Sequence, residues 1–234
     1  MLVIGVDIET GGLKDESLLQ LSAVADCPDP TSTLYGLSLD KLPVFNAYVK
    51  ADTYSVNPYC LGLHADSGIW KTIQTLSEDH KDRTVIFNGG ETNITVWGEV
   101  DFIWFEFKNW IDNVCDHCSV FPFHWESTYG KKDDKKRLVL AGKNVASFDY
   151  KKAIAAGVFK EDDPDIAFRH RMLDPGSIFT LPTDSEPADL KTCLKRCGVK
   201  KEIAHEGHQD ILDVLFCLRH YFRVMQPCLN FFED

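Results

Sequence analysis

Two carboxylates stand two residues apart in Asp7-Ile8-Glu9-Thr10, at the end of the apolar run that starts at Leu2. The alternation of a strand projects such a pair to the same side. Two anions held that close need a cation, and carboxylate oxygens suit Mg²⁺ or Mn²⁺, which can hold a substrate phosphate in turn. A D-x-E pair alone is also what a solvated strand end looks like. A second acidic element, Gly142-Lys143-Asn144-Val145-Ala146-Ser147-Phe148-Asp149, follows the apolar stretch Leu138 to Ala141 and enters a helix. Asp149 then falls in the first turn, where a carboxylate also complements the helix dipole. The third element is His208-Gln209-Asp210-Ile211-Leu212-Asp213. Five residues at helical pitch correspond to about 500°, which sets His208 and Asp213 about 140° apart on a continuous helix. His208 is therefore expected at or just before the helix start, as a base able to move, with Asp213 anchored inside the helix.

These residues need strands and helices to carry them. Leu2 to Asp7 reads as a buried strand ended by Thr10-Gly11-Gly12, Leu18 to Ala25 as a second strand, and Phe45 to Lys50 as a third. Asn57-Pro58 opens a helix through His64, and Ser67-Gly68 to Leu76 forms another. Val85-Ile86-Phe87, Asn88-Gly89-Gly90 and Ile94 to Trp97 have the shape of a hairpin, or of a loop insertion. From Glu99 to Cys118 the spacing of Phe102, Ile103, Phe105, Phe107, Trp110, Ile111 and Val114 predicts a helix with a wide buried face. Ser147 to Gly157, Leu190 to Cys197 and His208 to about Met225 read as the remaining helices, and Gly157 and Gly198 close the first two.

The 234 residues suffice for one sizeable α/β domain, and neither an internal repeat nor a low-complexity linker marks a second. A composition of 44% hydrophobic and 26% charged residues is that of a globular chain. No apolar run approaches the roughly 18 residues that span a bilayer, and no secretory signal is recognisable, so a cytoplasmic address without membrane attachment is expected. The eight cysteines are then expected as reduced thiols. A formal net charge of −11 argues against a broad duplex-binding surface, which would have to neutralise many phosphates. It leaves room for a site that grips a few nucleotides through metal ions.

Taken in order and spacing, the three acidic segments resemble the Exo I, Exo II and Exo III motifs of the DEDDh branch of the DnaQ-like 3′-5′ exonucleases. That family includes ribonuclease T, oligoribonuclease and polymerase proofreading subunits. The resemblance spans Asp7 to Asp213 but is dense only around the motifs, and the stretch from about 82 to 137 has no counterpart in it. It implies a ribonuclease H-like α/β fold over residues 1–234, with a mixed central sheet flanked by helices and the carboxylates at the C-terminal edge of the sheet. It further implies two Mg²⁺ or Mn²⁺ ions on Asp7, Glu9, Asp149 and Asp213, with His208 as general base and His205, three residues earlier, as its rival. The activity implied is removal of nucleoside 5′-monophosphates from the 3′ ends of single-stranded DNA or RNA. Like some relatives, such a protein could form a homodimer or work beside a polymerase.

Leu61-Gly62-Leu63-His64-Ala65-Asp66-Ser67-Gly68 is similar to a Met-His-x-x-Ser-Gly segment of oligoribonucleases, with Leu63 in place of the Met. By that likeness His64 approaches the terminal nucleotide and Leu13 wedges against its base. Thr10, Gly11, Asn144 and Phe148 join them as substrate-binding candidates, and Asp174 is expected to be structural. Two weaker patterns are a zinc site at Cys115, His117, Cys118 and His124, whose spacing is wrong for a standard finger, and a basic rim from Lys131 to Arg137 with Lys143, Lys151 and Lys152. Asp7-x-Glu9-x-Thr also resembles the nucleophile motif of haloacid-dehalogenase-type phosphatases, which usually has Asp at the third position and gives no role to His208 and Asp213. The alternative from another class is a catalytically silent module that binds strand ends or other proteins.

Overall fold

A computed structural model describes residues 1–12, 17–118, 135–201 and 207–229, with side chains described as far as residue 224. Seven strands form the sheet: β1 Val3–Thr10, β2 Leu18–Asp26, β3 Val44–Val49, β4 Thr84–Phe87, β5 Asn93–Gly98, β6 Lys136–Ala141 and β7 Ile166–Phe168. Their order is β4-β5-β3-β2-β1-β6-β7. β1, β2 and β3 run antiparallel in a meander, whereas β6 joins β1, and β7 joins β6, in parallel. The hairpin β4-β5 pairs antiparallel within itself and docks parallel on β3, so it widens the sheet at the edge remote from β1.

Among the described residues seven α-helices accompany the sheet: α1 Pro58–Asp66, α2 Ile69–Asp79, α3 Val100–His117, α4 Asp149–Ala156, α5 Pro175–Phe179, α6 Leu190–Arg196 and α7 Gly207–Leu229. All nine residues of β2 are buried, as both faces of a central strand must be when helices cover the sheet. α3 buries Ile103, Trp104, Phe107, Trp110, Ile111 and Val114, a wide apolar stripe at helical spacing. The ring of Phe107 meets Phe45 of β3 edge-on at 5.4 Å between centroids. The indole N–H groups of this core are satisfied, Trp104 donating to Asp163 Oδ2 at 2.9 Å and Trp110 to Thr92 O at 2.8 Å.

α7 lies against β1 and β2. The contact is close because β1 has no side chain at Gly5, where a Cβ would stand 2.5 Å from Ile211 Cγ2. Gly5, Asp7 and Glu9 alternate to one side of β1, so the same packing aims both carboxylates at the start of α7. Farther along, Arg219 fixes α7 to the end of β2 through both oxygens of Asp26, at 2.8 and 2.7 Å, and donates to Leu37 O and Leu34 O.

The hairpin, α3, α4 and α6 occur where the sequence pattern predicts them, while β7 and α5 are too short to leave a periodic signal. Among the described residues no helix is long and apolar enough to cross a membrane. Seven described cysteines are free thiols.

Candidate active site

β1, α4 and α7 meet around a pocket of about 540 Å³ walled by Asp7, Glu9, Asp149 and Asp210, with Lys143, Asn144, Phe148 and Leu63 among its other lining residues. Asp7 and Glu9 arrive from the end of β1, as strand alternation requires. Asp149 is delivered by the turn between β6 and α4. In that turn Asn144 takes the left-handed conformation, at φ 58°, and its N–H donates to Asp174 Oδ2 at 3.0 Å. Asp174 also caps α5 by accepting from Gly176 N at 2.7 Å, so its carboxylate holds two loops in register and is structural. Asp149 itself is buried and accepts from Ile8 N at 3.2 Å, which ties α4 to the middle of the Asp7-Ile8-Glu9 segment.

The carboxylate that α7 brings to the pocket is Asp210, and Asp213 does not line it; Asp189, which also lines it, caps α6 by accepting from Thr192 N. The correction follows from helix geometry. Ile211 packs on Gly5, and Asp213 lies two residues, about 200°, beyond it, whereas Asp210 stands one turn before the pocket-lining Val214. Asp213 is buried elsewhere, with its Oδ1 2.5 Å from Lys201 Nζ and 3.3 Å from Gln209 Nε2. The N-terminus of α7 comes down on Asp7 itself: a Cβ on Gly207 would be 2.9 Å from Asp7 Oδ2, so the first residue of the helix has to be this small. The positive end of a helix dipole is thereby set against a carboxylate.

His208 falls in the first turn of α7, as expected, but it is not among the residues that line the pocket. The five-residue spacing that pairs His208 with Asp213 also pairs His205 with Asp210. Gly207 lies between the two histidines, and only a residue this small lets the chain pass over Asp7. His205 lies outside the described residues, as do Leu13, His124, Lys131, Lys132, Asp133 and Asp134.

The remaining candidates divide. Asn144 and Phe148 line the pocket, while Thr10 and Gly11 support it from behind. Thr10 Oγ1 donates to Gly12 O at 2.6 Å, and Gly11 is held by backbone hydrogen bonds to Ser17 O and from Asn57 N. His64 is buried rather than presented to a ligand, with Nε2 2.7 Å from Thr10 O and Nδ1 3.8 Å from Glu9 Oε2. It therefore orients the end of β1, and it is its neighbour Leu63 that reaches the pocket. Among the described residues of the expected basic rim, Lys143, near Asp174, lines the pocket, and Lys136 instead pairs with Asp112.

Electrostatically the pocket is an anion cluster. Burial first, then Asp149, Glu9 and Asp210, raises Asp7 well above the usual carboxylate range. Glu9 is pushed up to about 7 by burial and then by Asp210 and Asp149. Asp149 also reaches about 7, with burial outweighing the lowering effect of the Ile8 N–H. Among the described residues neither Asp7 nor Asp149 has a lysine or arginine ion-pair partner.

The donors fit a hard divalent cation, being all carboxylate oxygens. Among the described residues no three His, Cys, Asp or Glu side chains stand close enough together to hold a metal ion as they are, either at this pocket or around Cys115, His117 and Cys118. An open ring of carboxylates suits Mg²⁺ or Mn²⁺, which keep several water or substrate oxygens in their shell, better than a structural ion.

No protein-family model and no curated protein matches the sequence. Solved structures do match in shape. E. coli exonuclease I in complex with a dT13 oligonucleotide aligns over 99% of this chain and 43% of its own length, at 14% identity and a TM-score of 0.50. The fold is ribonuclease H-like. The same protein with a 5cy-dT13 oligonucleotide aligns over 97% of this chain and 42% of that one, at 14% identity and a TM-score of 0.49. The Neurospora crassa Pan2 catalytic unit, protease and nuclease domain, aligns over 99% and 28%, at 10% identity and 0.46. The chain thus spans less than half the length of each of these structures. At 14% identity what is shared is the fold, and within that fold the four carboxylates occupy the end of the central strand β1 and the starts of the two helices, α4 and α7, beside it.

Proposed function

We propose that this chain is a metal-dependent 3′-5′ exonuclease that hydrolyses phosphodiester bonds from the 3′ end of single-stranded DNA or RNA and releases nucleoside 5′-monophosphates. The observation that carries the reading is the convergence of Asp7, Glu9, Asp149 and Asp210 from three separate elements on one pocket, where burial raises the first three and repulsion by the neighbouring acids raises Asp7 and Glu9 further. A fold gains nothing from such a cluster by itself. It becomes favourable when divalent ions and a phosphodiester enter together.

Asp7, Glu9, Asp149 and Asp210 would hold the ions. Bound there, two Mg²⁺ or Mn²⁺ would offset the cluster's charge, activate the attacking water and stabilise the leaving 3′-oxygen. Phe148 and Leu63 offer apolar surface to the terminal base and ribose, and Asn144 and Lys143 offer donors to the phosphate or sugar. Because the structure pairs Asp210 with the other three acids, the proton acceptor that keeps the five-residue spacing is His205. His208 keeps that spacing only to Asp213, which is committed to Lys201.

The test is hydrolysis of 5′-labelled single-stranded DNA and RNA with Mg²⁺ or Mn²⁺. A one-nucleotide ladder receding from a free 3′ end is expected, with strong slowing by a 3′-phosphate. A circular strand cut as fast as a linear one would make the enzyme an endonuclease. Single-turnover rates then assign the base: His205→Ala should lose about 10²- to 10⁴-fold while keeping Mn²⁺ affinity, and His208→Ala should lose far less. The reverse order would return the role to His208.

A further inference from the structure

The pocket is flanked by a second concavity of about 540 Å³ whose lining is Lys191, Lys195, Val199, Lys200 and Lys201, four lysines and a valine. This is against the character of the chain, which carries 36 acidic residues to 25 lysines and arginines. It is also against local economy. Lys191 and Lys195 are one helical turn apart on α6, where like charges repel by a few tenths of a kcal/mol, and Lys200 and Lys201 follow in the next loop. Among the described residues no carboxylate shares the lining, and the buried Asp213 is paired with Lys201.

The two concavities are contiguous. Asp189, Leu190 and Lys191 at the start of α6 wall the carboxylate pocket, and Lys191 walls the lysine cavity as well. Lys195, one helical turn along α6 from Lys191, and Lys200 beyond the helix line only the lysine cavity. The geometry points to the lysine cavity as a second, sequence-independent phosphate site that holds the 5′-ward backbone of a single-stranded polynucleotide while its 3′ end lies among the carboxylates. Lys195 and Lys200, outside the Lys201–Asp213 pair, act as point charges on phosphates, and Val199 gives apolar contact to a ribose or base. This assignment rests on the exonuclease reading for the direction of the strand, and it explains how a chain of net charge −11 could retain a polyanion after each cleavage.

Lys195 and Lys200 are exposed, so a Lys195→Ala/Lys200→Ala variant should fold. Its affinity for fluorescein-labelled dT15 and U15, read by anisotropy in EDTA, should fall at least ~10-fold. The slope of log affinity against log salt should shrink by about 1.4, from about 0.7 per phosphate released on a single strand. Hydrolysis of the dinucleotide dTpdT, too short to span both cavities, should change by less than about twofold while KM for the 15-mers rises. Unchanged affinity and salt slope would overturn the assignment, as would an equal loss in Lys151→Ala/Lys152→Ala, which would place the strand on α4, or tighter competition by poly-glutamate than by unlabelled dT15, which would make the cavity an acidic-protein site. The two readings fail separately: a wild-type protein that binds dT15 through these lysines but hydrolyses nothing refutes the exonuclease alone, and one that hydrolyses 15-mers without using them refutes the cavity alone.

Discussion

α7 meets the sheet at two buried acidic places, and the chain treats them in opposite ways. At the end of β2, Asp26 is 6% exposed and receives a bidentate Arg219, whose remaining N–H groups are taken up by two backbone carbonyls. At the end of β1, Asp7 faces Glu9, Asp149 and Asp210, and among the described residues no arginine or lysine pairs with Asp7 or Asp149. The first is a self-contained ion pair that anchors a helix. The second is a set of acids in which Asp7 and Asp149 have no lysine or arginine partner among the described residues. The same helix supplies both, so the difference is a division of labour along it: Arg219 anchors α7 to the end of β2, while the close approach of Gly5 to Ile211 and of Gly207 to Asp7 brings Asp210 to the pocket.

The contrast can be broken most forcefully at Asp7. Asp7→Ala should lower turnover on single-stranded substrate by at least ~10³-fold, the scale of losing groups that stabilise transition-state charge, with circular dichroism showing a folded protein. Near-normal turnover by a folded variant would remove the pocket from the chemistry. Arg219→Ala should show the complementary pattern. Leaving Asp26 buried without its partner should cost about 3–5 kcal/mol in urea unfolding, while the rate per folded molecule is retained. A loss below about 1 kcal/mol would mean that the Asp26 pair is not the anchor proposed.

The pH dependence sharpens the comparison further. Glu9 and Asp149 titrate near 7 in the folded protein but near 4.5 and 3.8 when unfolded, so between these values the folded state binds more protons than the unfolded one. Stability of the metal-free protein should therefore rise as pH falls from 8 towards 5, by up to about 3 kcal/mol per group. Mn²⁺ should raise the melting temperature at pH 8 and do so much less at pH 5.5, where protons compete for the same oxygens. A melting temperature in EDTA that falls steadily from pH 8 to 5.5 would contradict the anion-cluster account.

Much of this was legible in the residues themselves. The strand carrying Asp7 and Glu9, the hairpin around Asn88-Gly89-Gly90, the stripe of α3 and the glycine stops at Gly157 and Gly198 all announce themselves by periodicity or by turn chemistry, with Gly89, Gly157 and Gly198 in the left-handed region. What spacing could not decide was the phase of α7. His208 with Asp213 and His205 with Asp210 satisfy the same interval, and the choice depends on which turn of the helix rests on β1, a tertiary fact fixed by Gly5 against Ile211 and Gly207 against Asp7. His64 misled for a related reason: its position in the segment is as expected, but its side chain turns inward to Thr10 O and Glu9, which only packing reveals.

The most direct test is therefore Mn²⁺ binding measured by calorimetry at pH 8 on the wild type, Asp210→Asn and Asp213→Asn, each shown to be folded. The account predicts that Asp210→Asn weakens Mn²⁺ by about tenfold or more, roughly 1.4 kcal/mol, and that Asp213→Asn leaves the affinity near that of the wild type. Loss of Mn²⁺ binding in Asp213→Asn with full retention in Asp210→Asn would contradict it.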